Sequence, residues 1–132
     1  MPAEVKVLDA SALGAVAFHE PAASQVVGKL ADCEIVSPSL LWYEMASIAL
    51  KKIKASPSGK DQMAQALSFA YQLDVKTVEV NPTEVVQLAF ETGLSTYDAS
   101  YLWLANTLSA SIVTLDRRLH QAFLKHQADQ NS

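Results

Sequence analysis

The sequence predicts an α/β protein: one domain with a mostly parallel central sheet and helices on both faces. Three observations predict it. Short β-branched runs alternate with helical segments in the order strand, two helices, strand, two helices, strand, two helices, strand, helix. Such alternation builds parallel sheets through crossover connections. The chain has 132 residues, the size of one ordinary domain with its own core. Half of it is hydrophobic and 18% is charged, a balance that favours a buried core over disorder.

The first strand is read in "EVKVLD", a β-branched run from Val5 to Leu8 that stops at Asp9. "SALGAVAFHE" follows as a helix with Ser11 near its start, and Pro21 separates it from a second helix in "AASQVVGKLA". "CEIVS" reads as the second strand. In "SPSLLWYEMASIALKKIK" the expectation is a helix capped by Ser37, with Pro38 at the first position, where a missing N–H does no harm. "ASPSG" is read as a loop, "KDQMAQALSFAYQL" as a helix and "KTVEV" as the third strand. In "NPTEVVQLAFETG", Asn81 caps, Pro82 starts and Gly93 stops a helix. "STYDASYLWLANTLS" is the next helix, "ASIVTLD" the fourth strand and "RRLHQAFLKH" the last helix. The division expected is a domain over residues 1–126 and a polar, fraying tail over 127–132.

The lone cysteine, Cys33, rules out an internal disulfide and a cysteine-based metal site, and suits a reducing compartment. "MPAEVKVLDA" has no basic stretch leading into a long apolar run, so no signal peptide is read there. No apolar run reaches the roughly 18 residues that suggest a membrane span. The expected setting is cytoplasmic, with no membrane partner. A net charge of −4 argues against a protein that coats nucleic acid through a basic surface. It leaves room for an enzyme that gathers acids around a cation.

Two strands end in aspartate, "VKVLD" in Asp9 and "SIVTLD" in Asp116. Ligands of open parallel sheets bind beyond the carboxyl ends of the strands, although an Asp before a helix is also a good N-cap. Glu44, in "LLWYEMASIALKK", shares a helix stripe with Ser47 and Lys51, a pattern that also suits a solvated face. Asp98 heads a helix face formed with Tyr101, Leu102, Ala105 and Leu108. Ser95 and Asp98 match the S/T-x-x-D/E capping pattern, so Asp98 taken alone serves a cap and a site equally well. The four acids together say more. Carboxylates brought to one sheet edge repel unless a cation lies between them. Mg²⁺ takes oxygen ligands and keeps positions for water and a substrate phosphate. His19, His120 and His126 are dispersed and form no competing metal site.

"VLDASAL", "SPSLLWYEMASIAL", "GLSTYDASYLWLA" and "IVTLDRRL", in this order and spacing, resemble the PIN-domain ribonucleases, and among them the small single-domain toxins of VapC type. The resemblance spans nearly the whole chain and implies a parallel α/β fold. It places the family's acidic quartet on Asp9, Glu44, Asp98 and Asp116, and its hydroxyl positions on Ser11 and Thr114. It implies Mg²⁺- or Mn²⁺-dependent endonucleolytic cleavage of RNA, a cognate antitoxin as partner, and homodimers or dimers of dimers. Family members often end on a further short apolar strand. Here "FLKHQADQNS" turns polar, so the expected sheet has four strands, with a fifth left open.

On this reading Asp9, Asp98 and Asp116 are the expected metal ligands. Glu44 ligates directly or through water, and Ser11 and Thr114 fix carboxylate orientation. Lys51, Lys52, Lys54, Arg117 and Arg118 are the candidates for holding RNA phosphates. Of the rings in Trp42, Tyr43, Tyr101 and Trp103, most are expected in the core and some at a protein partner. Two other readings compete. A receiver or flavodoxin-like signalling module also places acids at strand ends, but Asp9 has no acidic neighbour. A non-catalytic binding subunit of the same fold has no use for an intact quartet.

Overall fold

The computed structural model describes residues 3–130. In chain order the elements are β1 (Glu4–Leu8), α1 (Ala10–Ala17), α2 (Ala23–Leu30), β2 (Cys33–Pro38), α3 (Leu41–Ala55), α4 (Lys60–Tyr71), β3 (Val75–Val78), α5 (Pro82–Thr92), α6 (Thr96–Leu108), β4 (Ser111–Val113) and α7 (Arg117–Gln130). The four strands lie in the order β3-β2-β1-β4, and every pairing is parallel.

The pleat sorts the strand residues onto two faces. Val7, Val36 and Ile112 point to one face, where Leu88 of α5, Leu102 of α6 and Leu119 of α7 cover them. Leu8, Ile35 and Val113 point to the other, against Leu13 of α1, Val26 of α2 and Met45 of α3. Burying each large aliphatic side chain contributes about 1.5–3 kcal/mol, so two closed layers outweigh the weak propensity of strands this short. The expected α/β class, the parallel sheet and the helices on both faces are all present. Among the described residues there are four strands and none follows α7. No helix among them is long and apolar enough to cross a membrane.

Several boundaries differ from expectation. Ser37 and Pro38 belong to β2, where they pair with Thr77 and Val78, rather than capping α3. That helix starts at Leu41 with no side-chain cap. Sheet pairing decided the matter: the ladder runs on past Pro38 through the Ser39 N–H to the Val78 carbonyl at 3.1 Å. The third strand is shifted to Val75–Val78, because its register ends where β2 ends. The "ASPSG" loop contains a 3₁₀ turn at Pro57–Gly59. The last helix continues four residues beyond His126 to Gln130, so the expected fraying tail is helical as far as it is described. Asn81 and Gly93 bound α5 as read: Asn81 accepts from the Thr83 and Glu84 amides, and Gly93 stands at φ 77°, a left-handed conformation that favours glycine.

Candidate active site

Chain connections leave β1 toward β2 on one flank, while β4 lies on the other. A crevice opens beyond the carboxyl ends of strands at such a switch point. Asp9 directly follows β1, and Asp116 stands just ahead of α7 after β4. From the two helical layers come Glu44, in the first turn of α3, and Asp98, in the first turn of α6. All four carboxylates line one cavity of ≈ 480 Å³.

Asp9 is 4% exposed. Its Oδ1 accepts from the Ala12 amide at 3.0 Å, capping α1, and from the Ser11 hydroxyl at 2.7 Å. Its Oδ2 accepts from the Thr114 hydroxyl. Ser11 in turn accepts from the Leu115 amide at 2.9 Å, and Thr114 from the Asp116 amide at 3.0 Å. Each hydroxyl has one proton, and both protons go to Asp9; the 3.2 Å approach of the two hydroxyl oxygens adds no third bond. Two donors fill Oδ1, whereas Oδ2 retains a lone pair.

Asp116 caps α7 through Oδ1, which accepts from the Leu119 amide at 2.9 Å. Asp98 donates its amide to Ser95 Oγ at 3.1 Å, so the cap read from the sequence exists. It coexists with the site, because the carboxyl of Asp98 lines the cavity. Glu44 Oε1 accepts from the Tyr101 hydroxyl at 2.6 Å.

Burial, ahead of the repulsion of neighbouring acids, pushes three of these carboxyls above the usual range. For Asp9 the hydrogen bonds of Thr114, Ala12 and Ser11 oppose the burial, and Asp116 adds a smaller upward push. Glu44 is raised by burial, then by Asp98 and Asp9, against the Tyr101 bond. Asp98 is raised by burial and by Asp116, against Ser95 and Arg118. Burial and the Glu44 charge likewise push the Tyr101 hydroxyl well above the usual phenol range, so it stays a donor.

No three of the acids are arranged as a ready-made metal cage among the described residues. An all-protein calcium-type cage does not fit this geometry. An ion that uses one or two carboxylates and keeps its remaining positions for water and substrate does. The donor set is oxygen alone, mutually repelling and on the wall of an open cavity, and it suits a hard divalent cation.

The basic candidates separate. Lys51 lines the cavity together with Ser47 and Glu44, so the stripe read on α3 faces the site. Lys52 pairs with Glu20 at 3.2 Å and lies 5.5 Å over the Phe18 ring. Arg118 donates to the Gly93 carbonyl at 3.0 Å. Lys54 and Arg117 are exposed and are not on the cavity wall. Of the rings, Trp42 stacks edge-on with Tyr71, Trp103 donates to Glu84, and Tyr43 is 78% exposed at the cavity. Tyr101 is a buried ring, in line with the expectation that most of the four pack in the core, but its bond to Glu44 is not among the sequence expectations. The available signal was its position one turn after Asp98 on the same face.

The PIN domain family profile matches residues 6–123. Ribonuclease VapC3 of Pyrobaculum aerophilum is 28% identical over 123 residues, covering 89% of this chain and 93% of that protein. The crystal structure of PAE2754 from Pyrobaculum aerophilum superposes with a TM-score of 0.73 at 29% identity, covering 92% of this chain and 87% of the other. These likenesses do not favour a signalling module. With a family match running from β1 into α7 and the acids gathered at the switch point, the chain belongs to the PIN domain family.

Proposed function

We propose that this chain is a divalent-metal-dependent endoribonuclease of the VapC kind, the toxin of a toxin–antitoxin pair. The observation that carries the reading is the single cavity lined by Asp9, Glu44, Asp98 and Asp116 at the carboxyl edge of a parallel sheet. Family membership and the likeness to Ribonuclease VapC3 support it. Asp9, through its spare Oδ2 lone pair, would hold Mg²⁺ or Mn²⁺ directly, with Asp98 and Asp116 engaging the ion directly or through its bound waters. The bound ion supplies a lowered pKa for water and offsets charge developing on the phosphate.

The protein's own groups prepare the substrate for in-line attack by water and departure of the leaving oxygen. Ser11 and Thr114 lock the Asp9 carboxylate in one orientation. Glu44, anchored at Oε1, has Oε2 available to accept a hydrogen bond from the attacking water and aim it. Lys51 is placed to contact a phosphate flanking the scissile one. The proposed setting is the cytoplasm, with RNA as substrate and a cognate antitoxin as partner. A homodimer, paired further in larger assemblies, gives the exposed Phe90 (90%) and Phe69 (64%) surfaces to be covered.

The test is cleavage of a mixed RNA pool by purified protein as Mg²⁺ is titrated, with a chelator control. Cleavage that appears with metal, stops with chelator and returns with excess metal is expected. Asp98→Asn should lose that activity by roughly 100-fold or more, beyond the usual effect of losing an outer-sphere partner, while retaining its circular dichroism. Absence of cleavage at every metal concentration, or full activity of Asp98→Asn, overturns the reading.

A further inference from the structure

Tyr101 is 1% exposed, yet its hydroxyl reaches the catalytic cavity. The ring belongs to the core layer that α6 shares with α5 and α7, whereas Glu44 sits on α3, in the layer on the opposite face of the sheet. The 2.6 Å bond between them therefore joins the two layers across the carboxyl edge, between residues 57 apart in the chain. No described side chain donates to the other oxygen of Glu44. A glutamate has three rotatable side-chain bonds, and near Asp9 and Asp98 its charge is repelled from two sides. Left to itself, such a side chain swings toward solvent.

We propose that Tyr101 is the positioning residue for Glu44: by donating to Oε1 across the sheet edge, it fixes the carboxylate rotamer and directs Oε2 to the reacting water. This rests on the nuclease reading for its functional consequence, though not for its structural one. α6 then supplies two parts of the site one turn apart, the Asp98 carboxylate and the hydroxyl that holds its neighbour on α3. The buried ring makes the hydroxyl a rigid arm, because it cannot rotate away without opening the core.

Tyr101→Phe keeps the ring and removes the hydroxyl. Two readouts decide. In a crystal structure of the metal-free variant, α6 should be unmoved while the Glu44 carboxylate leaves its place or loses its density. In RNA cleavage at saturating Mg²⁺, kcat should fall roughly 10- to 100-fold with KM for RNA unchanged, in the range seen when an orienting partner is lost. Adding Tyr101→Phe to Glu44→Gln should then cause no further loss of kcat.

A Glu44 side chain that keeps its position in Tyr101→Phe overturns the proposal. So does an additive loss in the double variant, which would place the role of Tyr101 elsewhere in the fold. If the wild-type protein cleaves no RNA, the nuclease reading falls, and the crystal structure still decides whether Tyr101 positions Glu44. Should Tyr101→Phe fail to fold, a crystal structure of Glu44→Gln supplies the decision. The amide held at 2.6 Å by Tyr101 supports the proposal, and an amide turned away from it overturns it.

Discussion

Around Asp9, two hydroxyls and one amide converge on a carboxylate that is nearly out of water. Each is needed for a different reason. The Ala12 amide ties the carboxylate to the helix start, Ser11 shares Oδ1, and Thr114, just past the neighbouring β4, donates to Oδ2. Thr114 also accepts the Asp116 amide, so one oxygen relates two acids of the quartet. Thr114→Val preserves shape and removes that oxygen. It should destabilise the protein by about 1–3 kcal/mol, because a partly buried donor and acceptor are left without partners. It should also weaken Mg²⁺-dependent cleavage by about 10- to 100-fold. Chemical denaturation and cleavage rates measured on the same preparation check both. A change in stability with unaltered cleavage would reduce Thr114 to a packing role.

Among the elements, those with local grammar were legible in the sequence and those settled by pairing were not. Asn81, Pro82 and Gly93 mark the ends of α5 with groups that act on their own neighbours. Ser37 and Pro38 carry the same local signal, but the ladder with β3 claimed them, a contact that no local pattern announces. The site divides in the same way. The acids at strand ends followed from the parallel sheet, and the resemblance selected Glu44 and Asp98. The Tyr101–Glu44 bond depends on two helices meeting across a sheet edge, a geometry absent from the pattern of either. The turn between α5 and α6 offers an element-scale test. Gly93 holds a left-handed φ of 77°, and its carbonyl receives Arg118. Gly93→Ala should cost about 1 kcal/mol by thermal denaturation, from backbone strain, since nothing stands where the new methyl would go. No loss of stability would mean that the turn relaxes at no cost.

For the molecule as a whole, three acids of the quartet make the metal-free fold sensitive to pH. Burial first, then mutual repulsion, holds Asp9, Glu44 and Asp98 above their ordinary values. A native state with raised carboxyl pKa values binds more protons than the unfolded chain between the two sets of values, so stability falls as pH rises through that interval. The window begins at the ordinary carboxylate range near pH 4 and extends upward. Chelator-treated protein should therefore melt at a higher temperature at the acid end of that window, near pH 4.5, than near pH 8, and Mg²⁺ should narrow the gap. Equal melting temperatures without metal would show that neither burial nor repulsion holds these carboxyls above their ordinary range. The pairing of β1 with β4 has a consequence for synthesis. The first and last of the described strands lie side by side, and the Thr114 hydroxyl reaches Asp9 across 105 residues. A growing chain that has not yet delivered β4 lacks Asp116 and leaves Oδ2 of Asp9 without its Thr114 partner. A ribosome making this protein thus carries an unfinished site until β4 and the Asp116 that follows it have emerged.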